Sequence, residues 1–139
     1  VAGHPGASPK PLAKVASGGE LSRIALAIAI TTSQSGTGNT LIFDEVDAGI
    51  GGAVAHTVGA TMRTLAQNRQ VLAVTHLAQV AAKAHHHWRG SKHSQDQHTT
   101  SQGQTLTGDL RVRELARMLG GHDTPASLAH AQELLNHHA

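Results

Sequence analysis

The sequence predicts an α/β fold in which parallel strands are joined by crossover helices and followed by an edge antiparallel hairpin. Three observations carry this. Thr40–Phe43 (TLIF) and Gln70–Thr75 (QVLAVT) are short apolar runs of the kind found in buried parallel strands. Between them Val54, Val58, Met62 and Leu65 recur along one helical face, so strand, helix and strand form a right-handed crossover unit. Beyond them, HHHWRG and QTLT flank a polar stretch that reads as a hairpin connection.

The elements follow in order. Residues 1–15 are rich in Pro, Gly and Ala and read as an extended lead-in. Ser17 can cap a helix from about Gly18 to Thr32, along which Leu21, Ile24, Ala25 and Ile28 recur at helical spacing. The SGTGN run, Ser35 to Asn39, breaks that helix before the first strand. After His76 a short helix spans about Leu77 to Lys83. Edge strands are expected near His86 to Gly90 and Gln104 to Thr107, with residues 91–103 as a flexible loop. Asp109 can cap a helix carrying Leu115, Met118 and Leu119, which Gly120-Gly121 stops. Thr124-Pro125 supplies a cap and a first-turn proline to a last helix holding Leu128, Leu134 and Leu135.

The 139 residues fit one domain, and their only aromatics are Phe43 and Trp88, so the core is built from Leu, Ile, Val and Ala. The chain opens on Val1 rather than Met, and VAGHPGASPKPLAK reads as the middle of a longer polypeptide. No run reaches the roughly 18 apolar residues of a membrane span, and no secretory signal is present, so a soluble protein is expected. The absence of cysteine excludes disulfides and thiolate zinc sites. A formal net charge of +2 does not by itself indicate a DNA-binding surface.

Two motifs carry chemistry, ASGGELSR at Ala16 to Arg23 and TLIFDEVDAGIGG at Thr40 to Gly52. In the first, Ser17, Gly18, Gly19 and Glu20 place backbone amides at a helix start, where an anion such as phosphate is favoured. Ser17-x-x-Glu20 is equally a capping box, which local stability alone could select. The two glycines argue for a ligand, because each costs a helix roughly 0.5–1 kcal/mol relative to Ala.

In the second motif Asp44 and Glu45 close an apolar strand, where open parallel sheets place their ligand crevices. Asp44 is the candidate Mg²⁺ ligand, and Glu45 the candidate base that orients and deprotonates an attacking water. The competing reading is a pair of surface acids beyond a core strand. The turn from Asp47 to Gly52 is glycine-rich enough to approach a partner surface. His76 ends the next strand, within reach of the same crevice if the strands are neighbours. No G-x-x-x-x-G-K-[ST] loop is present, so the motifs amount to half of an ATPase.

These residues resemble the RecN family of bacterial DNA repair proteins, relatives of the SMC proteins with an ABC-type ATPase head. The resemblance runs through HPGASPKPLAKVASGGELSRIALA, TLIFDEVDAGIGGAVAHTVG, QVLAVTHLAQVAAKAHHHWRGSK and RVRELARMLGG. It implies the C-terminal lobe of an ABC-type P-loop NTPase head over residues 1–139, with the Walker A half and a coiled coil elsewhere. Ser17 to Glu20 become the signature motif that binds the γ-phosphate of ATP on the opposing head. Asp44 and Glu45 become the Walker B Mg²⁺ ligand and catalytic base, Asp47 a D-loop residue at the head interface, and His76 the switch histidine. The implied partners are the N-terminal Walker A lobe, a second head and DNA, with no membrane, in a cytoplasmic, nucleoid-associated repair protein. His4 departs from the Asn expected in the lead-in.

Two other classes compete. A metal-binding protein is suggested by twelve histidines, including His85-His86-His87 and His137-His138, but adjacent histidines diverge and no helical i, i+4 partner completes a site. A lobe that only dimerises or docks, its acids idle, is the alternative for this chain on its own. A transporter subunit fits less well, since transporter signatures usually read LSGGQ.

Overall fold

The computed structural model describes residues 2, 5–6, 8–11, 16–32, 40–95, 98–121 and 123–136. Most of the lead-in, the Ser35–Asn39 break, His4, His137 and His138 lie outside them. The described residues form a mixed α/β structure with a parallel strand pair and an antiparallel hairpin. The chain divides into two compact units, residues 1–76 and 77–139.

In the first unit, α1 (Gly18–Thr31) leads to β1 (Thr40–Phe43), α2 (Gly52–Leu65) and β2 (Gln70–Ala73). The strands pair in parallel, Leu41 beside Val71 and Phe43 beside Ala73, and Val74 N–H extends the ladder to Phe43 O at 3.0 Å. Leu26, Phe43, Val46, Ala55, Val58, Met62 and Leu65 form the buried set.

Two apolar faces of this unit are exposed. The strands are buried on one face only: Phe43 is inside, while Ile42 (71% exposed), Leu72 and Val74 (64%) form an uncovered apolar face. A parallel sheet is normally covered on both faces, and nothing among the described residues covers this one. The stripe Leu21, Ile24 and Ile28 on α1 is also exposed, and the covered face carries Gly19 and Leu26 instead. The helix is apolar nearly all round (IALAIAI), so periodicity alone does not choose its inner face.

The second unit holds α3 (Ala78–Lys83), β3 (His87–Gln95), β4 (His98–Leu106), α4 (Gly108–Met118) and α5 (Pro125–Asn136). Its core is small-residue packing of Ala78, Ala81, Ala82, Ala116 and Ala131 around Leu115 and Leu134. Arg111 donates to the carbonyls of Ala81, Ala82 and Ala84, satisfying acceptors left open at the end of α3. α4 closes as foreseen: Gly120, at φ 78°, and Gly121 donate back to Arg117 O and Ala116 O. The cap of α4 is Thr107, not Asp109, which lies in the first turn. Thr124 caps α5, its Oγ1 accepting from Ser127 N–H at 3.2 Å.

The stretch at 91–103, expected as a flexible loop, is largely strand. β3 and β4 pair from His87–Leu106 to Gln95–His98 as a two-stranded sheet of their own. Ser, Thr, Gln and His supply no apolar periodicity, yet the ladder bonds are backbone bonds and an exposed ribbon needs no buried face. Trp88 is 70% exposed on this ribbon and contributes nothing to the core.

Candidate functional site

The site candidates gather where the start of α1, the turn after β1 and the end of β2 meet. The capping box forms as its spacing requires. Ser17 Oγ accepts from Glu20 N–H at 3.3 Å, and Glu20 Oε2 accepts from Ser17 N–H at 2.8 Å. The Ser17 amide and hydroxyl hold the exposed Glu20 carboxyl below its ordinary range. Glu20 is thereby folded back onto its own cap.

α1 is stitched to the acid turn by two residues to which the sequence reading gave no role. Ser22 Oγ donates to Asp44 O at 2.7 Å, and Arg23 Nη1 donates to Ala48 O at 2.9 Å and Val46 O at 3.3 Å. Both lie one helical turn past the glycines, and their polarity in an apolar helix was the available signal. The glycines themselves touch the turn. A Cβ on Gly18 would lie 2.7 Å from Glu45 Oε2, and one on Gly19 would lie 2.9 Å from both Ala48 Cβ and Glu45 O. Gly18 is exposed and Gly19 buried, so of the two only Gly18 presents itself to solvent.

Asp44 and Glu45 are both exposed. Asp44 Oδ1 accepts from Glu45 N–H at 2.9 Å, which leaves its second oxygen for a ligand. Glu45 sits at φ 54°, a left-handed conformation that costs a residue with a Cβ roughly 1–2 kcal/mol. The turn holds it there, with Ala48 N–H donating to Glu45 O at 3.0 Å. Among the described residues no three His, Asp or Glu side chains converge as a metal site. One exposed carboxylate still fits Mg²⁺, which takes one or two carboxylates and fills its shell with waters and phosphate oxygens.

Asp47 and His76 are brought together, but not as two ligand-facing groups. Asp47 is 2% exposed. Its Oδ2 accepts from the Thr75 hydroxyl and from His76 N–H at 3.0 Å, and lies 3.3 Å from His76 Nδ1. The Asp47 carboxylate is thus turned toward its own chain, as a buried carboxylate must be to meet its donors. Thr75, adjacent to His76, meets this carboxylate from 28 residues away, a separation that no local sequence pattern marks. The His76 side chain is 70% exposed.

These elements make a mixed α/β fold similar to that of an SMC ATPase domain. A solved structure described as "Structural biochemistry of ATP-driven dimerization and DNA stimulated activation of SMC ATPases" shares the fold at TM-score 0.54 and 20% identity, over 76% of this chain and 63% of that one. By sequence the chain is similar to the DNA repair protein RecN over nearly its whole length. It is 52% identical over 132 residues to the DNA repair protein RecN of Deinococcus radiodurans, covering 95% of this chain and 23% of the relative. The RecN of Haemophilus influenzae is 51% identical over 132 residues (94% of this chain, 24% of the relative), and that of Streptomyces coelicolor 47% over 136 (97% and 24%). The chain spans about a quarter of the length of these relatives. No family model matches it. Among the described residues no helix is long and apolar enough to cross a membrane.

Proposed function

We propose that this chain supplies half of an ATP-hydrolysing site in a RecN-type head acting in bacterial DNA repair and recombination. The observation that carries the reading is the exposed pair Asp44 and Glu45 closing a parallel strand, in the same unit as a helix start whose exposed glycine favours an anion. A non-glycine residue in a left-handed conformation beside that glycine is a further sign, since such strain gathers at functional sites.

In this reading the start of α1 meets the γ-phosphate of ATP held by a second head through the exposed Gly18, while buried Gly19 packs on the Ala48 turn and Ser17 and Glu20 cap the helix. Asp44 holds Mg²⁺, Glu45 orients the attacking water and takes its proton, and His76 senses the γ-phosphate. The metal, when bound, neutralises charge on the phosphate oxygens. Asp47 acts through the bonds it makes within its own chain. The 139 residues hold no G-x-x-x-x-G-K-[ST] loop, so the nucleotide's own phosphates are cradled by a separate Walker A lobe. The uncovered face of Ile42, Leu72 and Val74 and the outer stripe of α1 are where that lobe docks. DNA binding and a cytoplasmic, nucleoid-associated location complete the reading. On its own the chain is a docking lobe without turnover.

The test is Glu45→Gln in the head complete with its phosphate loop. ATP binding is expected to persist while hydrolysis falls by about 10²–10⁴-fold. Turnover at the unmodified rate would remove Glu45 from the role.

A further inference from the structure

We propose that Asp47 is a positioning residue for His76, fixing the ring in the orientation in which it acts. The proposal rests on the reading of His76 as the γ-phosphate sensor.

A side chain 70% exposed has little packing to hold it, and an exposed ring on a loop samples its rotamers freely. The restraint on His76 comes from one oxygen of a buried carboxylate. Asp47 Oδ2 takes the His76 backbone N–H at 3.0 Å and faces His76 Nδ1 at 3.3 Å, so main chain and ring are both tied to it. The Thr75 hydroxyl donates to the same oxygen and fixes the residue before. A carboxylate beside Nδ1 favours the tautomer that carries its proton there, which leaves Nε2 for a ligand.

Asp47 is itself held. Arg23 donates to the carbonyls on either side of it, Val46 and Ala48, and Ala48 N–H closes the turn on Glu45 O. A chain of bonds thus runs from the signature helix through Arg23 and the Asp47 turn to His76, within one compact unit. Displacement of the glycine turn would reach the histidine through this link. A carboxylate that only fastened the end of β2 to the turn would have no need of the ring contact.

A double-mutant cycle on ATP hydrolysis by the full-length protein separates the two roles. His76→Ala and Asp47→Ala are each expected to lower kcat by about 10–100-fold, the range for loss of a group that orients a functional histidine from behind. The double variant is expected to be no slower than His76→Ala alone. Asp47→Asn keeps an acceptor oxygen for all three donors and is expected to recover most of the rate. Equal loss from Asp47→Ala in the wild-type and His76→Ala backgrounds is the signature of a purely structural role and overturns the proposal. His76→Ala turning over at the wild-type kcat would instead overturn the assignment of His76, a separate failure. Should Asp47→Ala not fold, Asp47→Asn takes its place: a loss of a few-fold in wild type and none in His76→Ala supports the proposal, and equal loss in both overturns it.

Discussion

Alanine at Gly18 and at Gly19 should have opposite consequences, although the two residues are neighbours in one helical turn. At Gly19 the new methyl meets Ala48 Cβ at 2.9 Å, Glu45 O at 2.9 Å and Ala48 O at 3.2 Å, mostly backbone that cannot rotate aside. Overpacking of this kind costs about 1–3 kcal/mol, and the gain in helix propensity returns at most about 1. A net loss of about 0–3 kcal/mol follows, or up to roughly 12 °C in Tm for a chain of this size. At Gly18 the methyl meets the end of a flexible, exposed side chain, Glu45 Oε2 at 2.7 Å. The carboxylate swings away, stability is unchanged or rises by up to about 1 kcal/mol, and the displaced base loses activity on the order of 10²-fold. Calorimetry and ATP turnover on the same preparations of the assembled head read both effects. Equal loss of Tm in the two variants would refute the assignment of one clash to backbone and the other to a movable acid.

Three further outcomes follow from particular contacts. Ser17→Ala removes the acceptor for Glu20 N–H and should lower stability by about 0.5–2 kcal/mol in denaturant titration; an unchanged midpoint would show that the cap is idle. Glu114 is buried, and the hydrogen bonds from Arg117, 2.6 and 3.0 Å long, hold its carboxyl below the ordinary value of 4.5. The unfolded chain therefore takes up this proton first, and the contribution to stability, present above 4.5, is lost as pH falls through the folded pKa. Glu114→Gln should flatten that acid limb, and an unaltered pH profile would contradict the pairing. Ile42→Asp sits at an exposed position, so it should change the chain's own stability by less than about 0.5 kcal/mol while weakening capture of a Walker A lobe supplied in trans. Unweakened capture by titration calorimetry would move the docking face elsewhere.

The parts legible in the sequence are those governed by short range. The Ser17–Glu20 box, the Thr124-Pro125 start of α5 and the Gly120-Gly121 stop each depend on a few neighbouring residues, and each formed as read. The parallel pairing of TLIF with QVLA was equally readable, because two apolar runs around an amphipathic segment leave few alternatives. The ribbon was not, since its polar strands are held by backbone bonds that leave no hydrophobic period. The bond between Asp47 and Thr75 spans 28 residues, and no local pattern announces it. The left-handed backbone of Glu45 is likewise set by the turn around it and not by its own preference. The inner face of α1 depends on what covers the helix, which an apolar sequence all round does not reveal.

The central claim is that the Ser17 turn serves a nucleotide on the opposing head while Asp44 and Glu45 serve their own. Sedimentation of the assembled head carrying Glu45→Gln, with ATP and Mg²⁺, tests it most directly. The account predicts a stable dimer that Ser17→Arg, added to the same protein, reduces to monomer although ATP still binds. A dimer that persists with Arg at that position would contradict it.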